Sequence, residues 1–93
     1  LVKKICSIMD IKKPMGENKK YSNLITYVKD RPGHDFRYAI DCSKIKRELN
    51  WKPLESFKTG LEKTIDWYIN NEPWWREIQE KSYNQERLGL IND

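Results

Sequence analysis

The chain has 93 residues, 38% of them hydrophobic and 34% charged, which allows one small domain with a thin core and a heavily solvated exterior. Cys6 and Cys42 sit in neither a metal-ligand nor a Cys-x-x-Cys spacing and there is one histidine, which argues against a zinc site. No run approaches the ~20 apolar residues of a membrane span and no signal peptide opens the sequence, so the expectation is a soluble, cytoplasmic protein with reduced thiols and no membrane partner.

Taken in order, Leu1, Val2, Ile5, Ile8 and Met9 recur at helical spacing opposite Lys3, Lys4 and Ser7, predicting a short amphipathic helix. From Asp10 to Asn23, lysines mix with Pro14 and Gly16 without periodicity, which reads as a loop with weak order. The β-branched and aromatic run Leu24 to Val28 suits a short strand, and Phe36 to Ile40 alternates enough for a second extended piece. Asp41 is placed to cap a helix through Leu49 that buries Ile45 and Leu49 and stops near Asn50. Trp51 then reads as a lid over the helix end, and Pro53 prevents continuation. Ser56 is a good N-cap for the longest helix, Phe57 to about Asn70, with Leu61, Thr64, Ile65, Tyr68 and Ile69 on one stripe. Pro73 starts another helical stretch. Its adjacent Trp74 and Trp75 cannot share one face, so at least one needs a second surface. The end, Ser82 to Asp93, carries Asn84, Gln85, Gly89 and Asn92 and is expected to fray.

The densest set of ligand-capable side chains lies between the two extended pieces, in Asp30-Arg31-Pro32-Gly33-His34-Asp35-Phe36-Arg37-Tyr38. Pro32 fixes its own φ and pushes Arg31 toward extended geometry, while Gly33 permits a positive φ or a close backbone approach. Arg31 and Arg37 offer planar donor forks that match phosphate oxygens, His34 titrates near neutrality, and Tyr38 adds a ring and a hydroxyl. The field agrees in sign. Up to Arg47 there are twelve Lys or Arg against five Asp or Glu, and from Glu48 onward six against nine, so positive potential gathers around this loop and favours an anionic partner. A solvated turn with Arg37 paired to Asp35 or Asp41 fits the same residues. If Tyr38 shares the face of Phe36 and Ile40, it packs rather than binds.

The run Asp-Arg-Pro-Gly-His-Asp-x-Arg-Tyr-Ala-Ile-Asp at residues 30–41 is long and specific. With Lys44 to Pro53 and then Phe57, Gly60-Leu61, Lys63-Thr64 and Asp66-Trp67-Tyr68, it resembles the C-terminal region of the dTDP-glucose 4,6-dehydratase family, a group of extended short-chain dehydrogenase/reductases. The likeness is good over about residues 1–72 and loose over a helical tail, 73–93. It implies an α+β fold: a small, mostly helical substrate-binding domain with two or three short strands, lacking the Rossmann domain of the intact enzyme. Beginning at Leu1 rather than methionine fits a piece of a longer protein.

The resemblance further implies a parent lyase of deoxysugar (rhamnose-type) biosynthesis that converts dTDP-glucose to dTDP-4-keto-6-deoxyglucose. In it NAD oxidises the sugar at C4, water leaves across C5 and C6, and the hydride returns to C6. The parent would be a homodimer. Here the dTDP-sugar would meet Arg31 and His34, with Asp30, Pro32 and Gly33 shaping the loop; Arg37 and Tyr38 are further candidates for substrate binding. Neither catalysis nor NAD is expected of the residues present. Gly16, Gly33, Gly60 and Gly89 form no dinucleotide-binding motif, and no tyrosine has a lysine four positions on, so NAD falls to the missing N-terminal Rossmann domain.

The C-terminal region of another nucleotide-sugar epimerase or dehydratase, or a stand-alone basic interaction module in which Trp74 and Trp75 mark a contact patch, is the alternative. Nucleic acid is a poor fit, since the aromatics are spread along amphipathic helices instead of forming a stacking platform beside the basic loop.

Overall fold

A computed structural model describes residues 1–87. Among them are four α-helices, α1 (Val2–Lys12), α2 (Ser43–Leu49), α3 (Phe57–Asn70) and α4 (Glu72–Lys81), and one 3₁₀ turn, Tyr21–Leu24. Residues 88–93 of the tail expected to fray lie outside the described range.

Helix α1 runs three residues beyond Met9 and ends where Pro14 disfavours helical geometry for its predecessor; Lys13 accordingly leaves the helix at φ −144°, ψ 70°. The segment after it is tied down, against the expectation of weak order. Tyr21 donates its backbone N–H to the Asp10 carboxylate at 2.9 Å and its hydroxyl to the Lys13 carbonyl at 2.6 Å. One side chain and one amide thus fold the polar loop back onto the end of α1.

Helix α3 has the predicted start. Ser56 Oγ accepts from the Thr59 N–H at 3.1 Å, while the Ser56 N–H donates to Thr59 Oγ1 at 3.0 Å, a reciprocal cap that satisfies two orphan donors. Its apolar stripe faces α1, where Cys6 and Ile65 are the buried apolar residues among those described. An ion pair, Lys12 to Asp66 at 2.7 Å, closes one side of this contact. Helix α4 carries Pro73 in its first turn, where the missing N–H costs nothing. The two tryptophans do part company. Trp74 meets Trp67 edge-on at 5.2 Å, and Trp75 donates its indole N–H to the Tyr68 carbonyl at 2.9 Å.

The fold class is helical, and the predicted α+β arrangement is incorrect: no strand occurs among the described residues. Residues 24–28 contribute the end of the 3₁₀ turn and then extended backbone, with Ile25 at φ −68°, ψ 120°. Residues 36–40 are likewise irregular. The physical reason is pairing. A β-branched run becomes a strand only when a neighbouring edge takes its backbone N–H and C=O groups, and none reaches these segments. Their side chains have no cover either, with Tyr27 87%, Phe36 104% and Ile40 91% exposed.

Helix α2 also departs from expectation. Its N-cap is Cys42, not Asp41, although the Asp41 carboxylate accepts the Ser43 N–H at 3.0 Å. It ends as expected at Asn50, in the left-handed region at φ 51°. Ile45 and Leu49, however, are exposed rather than buried, and Trp51 remains 43% exposed. Among the described residues no other helix packs on α2, so its apolar side has no helix to bury against.

These open faces show in the overall dimensions. The radius of gyration is 17.7 Å, where a compact domain of this length has about 12 Å. The accessible surface is 9092 Å², against about 5,700 Å² for a compact protein of this mass.

Candidate functional site

The loop at 30–34 is braced by its own first residue. Asp30 Oδ1 accepts the Arg31 N–H at 2.8 Å and lies 2.7 Å from His34 Nδ1. The His34 N–H donates to the Arg31 carbonyl at 3.4 Å, and Gly33 takes φ +69°, the left-handed value its sequence position suggested. A carboxylate therefore sits at the centre of a four-residue reversal that returns His34 to Asp30. The His34 hydrogen bond, followed by the Arg31 amide, holds the Asp30 carboxyl below its ordinary value.

This reversal forms one wall of an open cleft of about 480 Å³, lined by Val28, Lys29, Asp30, Arg31, His34 and Arg87. Three of the predicted residues thus converge there. Pro32 and Gly33 shape the turn without lining the cleft. Arg37 and Tyr38 stand apart from it, and Tyr38 is 70% exposed. Nor is Tyr38 packed with Phe36 and Ile40, the condition under which it would pack rather than bind, because all three are exposed. The pairing of Arg37 with Asp35 or Asp41 that the alternative solvated-turn reading allowed is also missing among the described residues. Asp41 is engaged instead by the Ser43 hydroxyl and amide, which hold its carboxyl low.

Arg87 is the residue sequence reasoning missed. It comes from the tail, 58 positions beyond Lys29, and its guanidinium donates to the Lys29 carbonyl. Nothing in the local sequence around Arg87 marks it, since it is one cation in a polar tail. Only the folded chain brings it beside Arg31.

A second hollow, of about 420 Å³, lies between α1, α3 and α4 and is lined mainly by apolar side chains such as Ile5, Leu61 and Ile69. Lys13 and Glu72 face each other at its rim, 3.9 Å apart. It is the incompletely filled centre of the helical support and brings no reactive constellation together.

Chemically, the cleft offers cationic donors on a braced backbone, suited to hydrogen-bonding an anion. It contains no serine, threonine, cysteine or tyrosine that His34 could activate. Recognition of an anion is what its cations are suited to.

Helix and loop together define a support-and-loop unit of a larger class, and the comparisons identify the class. The sequence profile of GDP-mannose 4,6 dehydratase matches residues 1–64, so the chain belongs to that family. Among individual relatives, a dTDP-glucose 4,6-dehydratase of Escherichia coli is 56% identical, the match covering 98% of this chain and 26% of the relative. One from Neisseria meningitidis serogroup B is 50% identical over 96% of this chain and 26% of its own length. A probable dTDP-glucose 4,6-dehydratase of Sinorhizobium fredii is 50% identical over 98% and 25%. The chain thus spans about a quarter of the length of the relatives it matches. No solved structure matches it. Among the described residues, no helix is long and apolar enough to cross a membrane.

Proposed function

We propose that this chain is the nucleotide-sugar-binding portion of an NAD-dependent dTDP-glucose 4,6-dehydratase, the lyase that converts dTDP-glucose to dTDP-4-keto-6-deoxyglucose in deoxysugar biosynthesis. The observation that carries the proposal is the match of nearly the whole chain, at 50–56% identity, to proteins named for that reaction. The cleft chemistry agrees with it. Arg31 supplies a fork for diphosphate oxygens, His34 a further contact, and Lys29 and Arg87 a positive surround.

The residues present do not fit the nicotinamide cofactor. Gly16 and Gly33 are isolated turn glycines with positive φ, and Gly60 lies inside α3, so none opens the phosphate-cradling turn that a dinucleotide needs. NAD and the chemical steps belong to the remainder of the longer protein, and the role of this chain is to position the substrate for them. The uncovered faces of Phe36, Ile40 and Leu54 support a second domain as partner, because exposed apolar surface of this extent marks a missing contact. We assign the parent as a homodimer on family resemblance alone.

The test is a dTDP titration of the 93-residue chain followed by backbone amide NMR shifts, with an Arg31→Ala, His34→Ala double variant as control. Shifts clustered on residues 29–34 and lost in the variant are the expected result. A folded spectrum with no response at these residues, or equal shifts in the variant, would overturn the assignment of the site.

A further inference from the structure

We propose that Asp30 is a positioning residue: it fixes the tautomer of His34, so that His34 offers a proton to a diphosphate only as the imidazolium. This rests on reading the cleft as a diphosphate site. The contact between Asp30 Oδ1 and His34 Nδ1 is 2.7 Å, and a carboxylate can only accept. Nδ1 must therefore carry the proton in the neutral ring, which leaves Nε2 with a lone pair. His34 is exposed and lines the cleft with Arg31 and Arg87. In the neutral ring, Nε2 thus meets a phosphate oxygen lone pair to lone pair. Protonation turns that edge into a charge-assisted donor without moving the ring, because Asp30 holds Nδ1 in both states.

Lys29, Arg31 and Arg87 line the cleft as cations, the Asp30 carboxyl is held low by its two hydrogen bonds, and Asp35 follows His34 directly in the chain. Lysine, arginine and aspartate side chains keep their charges between about pH 5.5 and 8, whereas histidine changes. Arg31 binds in either state of His34, and His34 adds its contact only as the imidazolium.

Two readouts test this on the 93-residue chain. The first needs no ligand. The chain has one histidine, so long-range proton–nitrogen NMR at about pH 8 reads its tautomer without assignment. A protonated Nδ1 and a bare Nε2 are expected, with the Nε2–H form growing in Asp30→Asn, whose amide can also donate to Nδ1.

The second is the affinity for dTDP-glucose, whose diphosphate is esterified at both ends and keeps its charge through the interval. Affinity in the wild type should fall about tenfold or more from pH 5.5 to 8, the scale of a hydrogen bond to a charged group. The profile should be flat in His34→Gln and flattened in Asp30→Asn; a merely structural defect would instead lower affinity equally at every pH. An Nε2–H tautomer in the wild type, or binding with a flat wild-type profile, overturns the inference and leaves the binding site standing. No binding at any pH, with Arg31→Ala indistinguishable from wild type, overturns both.

Discussion

Truncating Ile65 to alanine tests whether the helices and the loop are held by separate interactions. Ile65 is 7% exposed and sits where α3 meets α1, beside the hollow of about 420 Å³. Removing three carbons forfeits about 2.4 kcal/mol of transfer free energy at ~0.8 kcal/mol per methylene. The cavity penalty that usually raises such losses toward 5 kcal/mol should be small, because the adjoining hollow is already open. We therefore expect a loss of about 2–3 kcal/mol, against a total stability of only about 5 kcal/mol, the low end for this length. Urea unfolding followed by circular dichroism at 222 nm measures the loss, with Leu54→Ala, at a position 96% exposed, as a control that should stay within about 0.5 kcal/mol. The Asp30 to His34 turn is closed by hydrogen bonds within five residues. The histidine ring signals of the folded Ile65→Ala chain should accordingly match wild type. A loss under about 1 kcal/mol, or native ring signals that move, would refute the reasoning.

Further predictions concern single local devices. Ser56→Ala removes one half of the reciprocal cap on α3 and should cost about 1 kcal/mol in the same urea assay. Gly33→Ala should cost about 1 kcal/mol through backbone strain alone, because φ is +69° and an added Cβ would meet nothing within 4 Å; the measurable consequence is loss of the Asp30 to His34 contact in the NMR spectrum. The depressed Asp30 carboxyl sets a pH dependence of known sign. Its contribution is present above the ordinary value of 3.8 and is lost as pH falls through the lower folded value. A carbon-detected titration should therefore place its midpoint below 3.8, and His34→Ala should move that midpoint upward.

What the sequence revealed and what it withheld divide along the range of the interactions involved. The Ser56 cap, the stop at Asn50, the stripe of α3 and the turn at Gly33 depend on residues within a few positions of one another, so local chemistry predicts them. The same holds for the convergence of Asp30, Arg31 and His34, which are only four residues apart. Arg87 could not be found this way, because its place beside Lys29 depends on a chain reversal spanning 58 positions. The two extended pieces failed for a related reason. Their composition suits a strand, but pairing is a property of two segments, and the second segment is absent from the described residues.

That failure bears on the function. Leu24 to Val28 and Phe36 to Ile40 flank the 30–34 loop on both sides, and both combine strand-like composition with bare apolar side chains. A sequence suited to pairing and packing, yet left open, is what the proposed second domain would account for, since local preference and global structure agree in a chain that folds alone. On the proposed function, a second domain would clamp the flanks of this loop. On that account the loop is only partly preorganised in this chain: the turn is set by Asp30, while its angle to the rest of the cleft is set by whatever covers Phe36 and Ile40. Affinity for the diphosphate should therefore rise when the covering domain is joined to this chain. The tautomer of His34, fixed within the turn, should stay the same.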